Sequence, residues 1–364
     1  MRTGKSLTEL AMEIERQGGA KRDYLADTVD GVEAVVAGEP GEGVELALHD
    51  NGRLPMMKLA HDQLAANLEI PRAYYQRMRA EQPELLAENV NTWLKAERKT
   101  RMVRTLDGKV RAWLSDRYRP LDNADFAEAV LPILGEMELQ VLSAEITERR
   151  LYIKAVSLDI TKDVPTGKAM GDDSHEFFDT VSPAIVLSNS EVGAGALSIE
   201  TGVWTKVCTN LAIASQRSMR KYHVGGRHEL GDEVAAMLSE GTKHKVDVAT
   251  WAQVADVVRG AFERAKFDAL VDDLAGAARD KIEGDPVKAV ELGAKALGLG
   301  EGERSSVLQH LIRGGDLTRY GLHAAVTRAS ADVDDYDRAT EMERAGWKVI
   351  ELPRSDWQAI AQAA

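Results

Sequence analysis

Cysteine is almost missing from this 364-residue chain, which carries only Cys208. An internal disulfide and a cysteine-based structural zinc site are therefore excluded, and a reducing cytosol is compatible. Aromatic residues make up only 5% of the chain, so each large ring has to be located individually. No apolar run approaches the roughly 20 residues that a membrane span needs. Met1 to Ala20 lacks the apolar stretch of a secretory signal. The expected location is cytoplasmic, with no membrane partner. No fixed-period repeat, sustained heptad array or prion-like tract is present. The Walker-type phosphate loop, the Gly-x-Ser-x-Gly elbow and His-Glu-x-x-His are missing too, so ATP-driven and hydrolytic chemistry has no motif behind it. Gly193-Ala194-Gly195 lacks the third glycine of a dinucleotide fingerprint.

The length predicts two or three folding units. Leu7 to Gln17 has the apolar spacing of a helix, as does Met57 to Leu68. Val32 to Val36 and Val44 to Leu48 read as short strands. Thr100 to Leu106 and Lys109 to Ser115 flank Asp107-Gly108, the signal of a type I′ hairpin. A helix from Asn123 to about Ile133 follows, capped by Asp122 or Asn123. Leu139 to Ile146 and Leu151 to Leu158 form a second hairpin. Thr161 to Asp179 reads as a long polar loop. Strands follow at Ala184 to Ser188 and Leu197 to Val207, then a helix from Thr209 to Gly225-Gly226. The last third is helical, from Val246 onward, with a short strand at Val349 to Leu352. The expected fold class is α+β, a central antiparallel sheet of β-hairpins packed on helices, with helical terminal segments. The expected units are a mainly helical 1–97, an α+β core at 98–230 and a helical 231–364.

The net charge of -13 and pI near 5.2 argue, taken as averages, against a polyanionic partner. The charge is unevenly placed. Residues 98–119 hold eight Lys or Arg against two acids, a net +6, and residues 217–228 carry +4, which leaves -23 on the rest. In the first hairpin, simple two-residue pairing sets Arg104 against Arg111 and Met102 against Trp113. Like charges directly opposite destabilise a sheet, so an anion over that face is expected. Arg101, Lys109, Arg117 and Arg119 extend the basic stretch. The pattern recurs where Arg150, Tyr152 and Lys154 oppose Leu151, Ile153 and Ala155, and where Trp204 and Lys206 oppose Leu197, Ile199, Val203 and Val207. Arg217, Arg220 and Lys221 would share one face of the helix after Thr209, with Arg227 beyond it. Cations beside flat rings suit single-stranded nucleic acid, since phosphates need charge and unpaired bases need stacking surfaces. Ordinary solvated cations on a half-exposed sheet are the plain alternative for any one strand.

Other features weigh less. Leu59 to Met78 has the outline of a helix-turn-helix but lacks the turn glycine, so two packed scaffold helices are expected. Asp172, Asp173, His175, Glu176 and Asp179 have no metal-ligand spacing and read as a solvated loop. Cys208 reads as a buried structural thiol. No metal site and no cofactor is expected.

Five stretches together carry a family resemblance: Leu68-Glu69-Ile70-Pro71-Arg72-Ala73-Tyr74-Tyr75; Asn89-Val90-Asn91-Thr92-Trp93-Leu94; Val110 through Asn123; Val207-Cys208-Thr209-Asn210 with Arg227-His228; and Leu317 through Thr327. They resemble the phage- and plasmid-borne family of domain of unknown function 932, across nearly the whole chain. The order of hairpin, helix and further strands is similar to the core of phage single-strand annealing proteins. That resemblance implies binding of single-stranded DNA, passage through an annealed duplex, rings or helical filaments, and strand pairing without ATP. The leading expectation is thus a non-enzymatic annealing protein for homologous recombination. Its contacts would be Arg101, Arg104, Lys109, Arg111, Trp113, Arg117, Arg119, Tyr152, Lys154, Trp204, Lys206, Arg217, Arg220, Lys221 and Arg227. The rivals are a metal-dependent nuclease recruiting Glu145, Glu148, Asp172, Asp173 and Glu191, and a structural or host-interaction protein.

Overall fold

The computed structural model describes residues 1–38, 43–118, 121–168, 177–206, 209–221 and 240–364. The fold is mixed α and β with antiparallel sheets and helices at both termini. Helix α1 (Leu7–Ala20) starts with a capping box in which Ser6 and Glu9 bond each other's backbone N–H. Strand β1 (Arg22–Asp27) follows. A small sheet orders β2 (Val32–Val36), β3 (Val44–Leu48) and β4 (Gly52–Leu54). Helices α2 (Lys58–Asn67), α3 (Arg72–Glu81) and α4 (Pro83–Glu97) pack on it through Leu64, Tyr75, Leu86 and Val90. The helices of the Leu59 to Met78 stretch are thus built into a core.

Hairpin β5 (Thr100–Leu106) and β6 (Lys109–Ser115) turns through Asp107 and Gly108, both at positive φ, as a type I′ turn requires. Strand β1 pairs with β5, from Arg22 opposite Thr105 to Asp27 opposite Thr100. The sheet therefore crosses residue 97, where a boundary was expected. Strand β1 was missed because its outward residues Arg22, Asp23 and Asp27 carry none of the usual β-formers.

The large sheet runs β12-β11-β10-β8-β7, with a short β9 (Lys162–Pro165) beside β10. Its strands are β7 (Gln140–Ile146), β8 (Leu151–Val156), β10 (Phe178–Asn189), β11 (Leu197–Thr205) and β12 (Asn210–Lys221). Strands β9 and β10 occupy both ends of the expected 161–179 loop. The segment after Thr209, read from sequence as a helix, is strand β12: its residues complete a ladder with β11.

One face of this sheet, with Leu151, Ile153, Ile185, Leu187 and Ile199, packs on α1, on α5 (Asn123–Glu136) and on α6 (Glu240–Gly260). Helix α7 (Arg264–Ala277) packs on Val181, Val203 and Ala212. The remaining helices are α8 (Pro286–Leu297), α9 (Glu301–Gly314), α10 (Arg319–Ala329), α11 (Tyr336–Glu351) and α12 (Arg354–Ala361). They share a core built on Val290, Leu311, Val326 and Met342. The expected strand at Val349–Leu352 is instead the end of α11. Helix α11 also covers the second face of the large sheet, where Tyr336 packs against Tyr152, Val156 and Val186. Among the described residues no helix is long and apolar enough to cross a membrane.

Trp347 on α11 is 1% exposed and packs with Phe267 and Tyr320, joining the C-terminal helices to the sheet. Removing a ring this buried costs about 3–5 kcal/mol. Trp347→Ala should lower the urea midpoint of unfolding by that equivalent, and a midpoint within error of wild type would refute this packing role.

Candidate nucleic-acid interface

The alternation read from sequence holds in β8, but its polar face is not open, and in the β5–β6 hairpin Trp113 shares the face of Val103 and Val110. Arg104, Arg111, Trp113, Tyr152 and Lys154 are 1%, 5%, 3%, 2% and 0% exposed. Two buried charge networks account for all but Trp113, which packs in the N-terminal core.

The first joins the β5–β6 hairpin to the large sheet. A β-bulge sets Thr105 against Val110 and Arg104 against Ala112, so Arg111 is the extra residue. The bulge is the reason that Arg104 and Arg111 do not face each other, and no external anion is needed to separate them. Arg111 Nη2 donates to Glu191 Oε2 at 2.6 Å, and Arg104 donates to Asp23 at 2.7 Å, to Asp122 at 3.3 Å and to the Glu191 carbonyl at 2.7 Å. Lys21 adds a 2.6 Å contact to Asp122. Asp122 stands at the N-cap of α5 but makes no side-chain cap bond. Glu191 takes over, accepting the Asn123 backbone N–H at 2.6 Å. Burial alone would raise the Asp122 pKa, yet the Lys21 hydrogen bond and the Arg104 charge outweigh it and hold the carboxyl below its ordinary 3.8. Arg104 is likewise held above its ordinary value, because Asp23, Asp122 and Glu191 overcome the effect of burial.

The second network lies under α11. Lys154 Nζ donates to Glu343 Oε2 at 2.7 Å with both side chains fully buried. Tyr152 donates to Asp337 at 2.8 Å, and Arg344 grips Glu200 with bonds of 3.0 and 2.6 Å. Burial pushes the Lys154 pKa down, against the attraction of Glu343.

The other expected contacts are scattered. Arg101 is paired with Glu97. Trp113 Nε1 donates to Asn67 at 2.9 Å inside the N-terminal core. Trp204 is half-buried, with a buried Nε1 that has no partner. Lys109, Arg117 and Lys206 are exposed. Arg217, Arg220 and Lys221 lie on β12, not on a helix; only their backbone is described. Arg119, Arg227, Cys208, Asp172, Asp173, His175 and Glu176 lie outside the described residues. The carboxylates considered for a nuclease are dispersed. Glu145 pairs with Lys5, Glu148 accepts the Leu59 N–H at the start of α2, and Glu191 belongs to the first network. Asp179 accepts from Tyr320 at 2.8 Å. Among the described residues no three His, Cys, Asp or Glu side chains gather to hold a metal ion.

The structure brings forward a different place. A groove of about 520 Å³ runs between α2 (Leu59, Asp62, Gln63, Ala66), Leu114 and Tyr118 beyond β6, and Gly193-Ala194-Gly195 of the β10–β11 loop. Arg149 completes its wall from the β7–β8 turn. The Glu148 bond to α2 docks this turn on the N-terminal unit. Arg149 is exposed, and no carboxylate contacts it among the described residues. Sequence reasoning missed Arg149 because a turn residue has no place in a strand's alternation. It missed Glu343, and the pairing of Glu191 with Arg111, because the partners are 189 and 80 residues apart.

Two predictions follow from the networks. Glu343→Ala, which strands Lys154, should destabilise the protein by about 3–5 kcal/mol, while Lys154→Met with Glu343→Leu should restore most of the loss. Chemical denaturation checks both, and a double variant as weak as Glu343→Ala would refute the pairing. For Asp122 the folded pKa lies below the unfolded one, so its stabilisation is fully present above pH 3.8 and is lost as pH falls below it. Asp122→Asn should therefore flatten the acid limb of the stability profile, and an unchanged limb would refute this role.

No family model matches the chain, and neither a curated protein nor a solved structure matches it.

Proposed function

We propose that this chain binds single-stranded DNA along the groove between α2 and the β10–β11 loop, and that self-association into a ring or filament lets it anneal complementary strands without ATP. One observation carries the reading: Arg149 stands exposed in the groove wall with no carboxylate against it among the described residues. An exposed guanidinium in a concave wall suits a phosphate backbone. Tyr118 and Leu114 supply apolar surface for bases in the same groove. Arg117, exposed just beyond β6 and next to Tyr118 of the groove wall, adds a second cation. The resemblance to annealing proteins supports the same reading. The contact set moves from the buried sheet face to the groove, since Arg104, Arg111 and Lys154 already hold carboxylates of their own chain.

Binding of a labelled single strand, followed by fluorescence anisotropy across a salt series, tests this. Affinity should fall steeply with salt as counterions are released. Replacing Arg149 and Arg117 together by Ala should weaken binding about tenfold at low salt and flatten the salt slope by roughly 0.7 per lost phosphate contact. Wild-type affinity in that variant overturns the groove assignment. Absence of salt-sensitive binding at low salt overturns the DNA reading, and a monomer by light scattering with DNA present overturns the assembly.

A further inference from the structure

Beside the groove, and sharing Arg149 and Ala194 with it, lies a second cavity of about 210 Å³. We propose that this cavity binds a phosphate monoester, the chemistry common to a 5′-phosphorylated strand end and a free nucleoside monophosphate. The strand end as the source rests on the reading above, whereas the cavity's preference for the ester does not.

Three guanidiniums reach the cavity from separate segments: Arg149 and Arg150 from the β7–β8 turn, and Arg344 from α11. Arg150 is the central observation. It is half-buried, and its guanidinium bonds only neutral oxygens: Ser188 Oγ at 3.2 Å, the Ala196 carbonyl at 3.4 Å and the Ala194 carbonyl at 3.1 Å. No carboxylate contacts it among the described residues. A charge withdrawn from water without a counter-ion is costly. The guanidinium lies flat on the loop at Gly195, where a Cβ would sit 1.3 Å from Arg150 Nη2. The group is thus held in place before any ligand arrives, which limits the entropy lost on binding.

The acids around the cavity are already committed. Glu200 is held by Arg344, Glu341 by Arg338 at 2.9 Å, and Asp337 accepts from Tyr152 at 2.8 Å and Thr147 at 3.2 Å. Among the described residues Arg149 and Arg150 make no bond to a carboxylate, and Asp337 and Glu200 attract Arg150 only at longer range, too weakly to offset its burial. Two such forks match the oxygens and charge of a dianionic phosphate monoester better than the single charge of a phosphodiester. Strands β8 and β11 supply the floor through Tyr152 and Ser198, and α11 supplies a wall. The arrangement suits the end of a chain entering from the groove.

The experiment compares 5′-phosphorylated and 5′-hydroxyl oligonucleotides of one sequence by anisotropy, and titrates adenosine 5′-monophosphate by calorimetry. Wild type should bind the phosphorylated strand about tenfold tighter, the size of one charge-assisted contact. Arg150→Met should lose that preference while still binding both strands, and a thermal melt establishes that the variant is folded. Equal wild-type affinity for both strands, with no heat from the monophosphate, overturns the phosphate site and leaves strand binding standing. Heat from the monophosphate without binding of either strand supports the site and overturns the strand reading. A folded Arg150→Met that keeps the tenfold preference overturns the assignment to this cavity.

Discussion

A lysine ammonium and a glutamate carboxylate, both out of reach of water, hold the C-terminal helices to the sheet. Lys154 and Glu343 make that pair, and its existence depends on α11 lying over the second sheet face. Burying either charge alone would be prohibitive. The helix and the strand therefore specify each other: only a docking that brings Glu343 over Lys154 is tolerated. Around the pair, buried Tyr152 and Glu200 on the sheet bond half-buried Asp337 and Arg344 on the helix. The apolar contacts of Tyr336 and Trp347 provide the attraction, and the polar pairs select the register.

The same logic couples the N-terminal unit to the sheet. Glu191 closes the loop after β10, neutralises Arg111 and supplies the cap that Asp122 leaves unfilled on α5. Asp122 and Asp23 neutralise Arg104. Within the cationic segment 98–119, Arg104 and Arg111 are thus spent inside the molecule, while Arg98, Lys99, Lys109 and Arg117 stay exposed. The segment's total charge therefore overstates what it presents to a partner.

Much of the α+β framework was legible in the residues. The Asp107-Gly108 turn, the alternation of Leu151, Ile153 and Ala155, and the amphipathic helices are local patterns, governed by backbone sterics and side-chain period. The helix expected after Thr209 failed for a non-local reason: Asn210–Lys221 gains ladder bonds from β11, which outweigh its modest preference for a helix. The candidate site was less legible. A bulge of one residue at Arg111 cannot be read from a two-residue period, and it cancels the opposed arginines on which an external anion was inferred.

Sequence alone settled which residues share a face of β8, because the pleat points alternate side chains to opposite sides where no bulge intervenes. It settled the segregation of charge and the absence of disulfide chemistry for the same reason, since these are properties of composition. Whether the polar face met water was decided only by tertiary structure. That outcome depends on α11, placed roughly 190 residues after β8, docking its Glu343 onto Lys154. Solvation of a charge is a property of everything packed around it, and no local window of the chain contains that information.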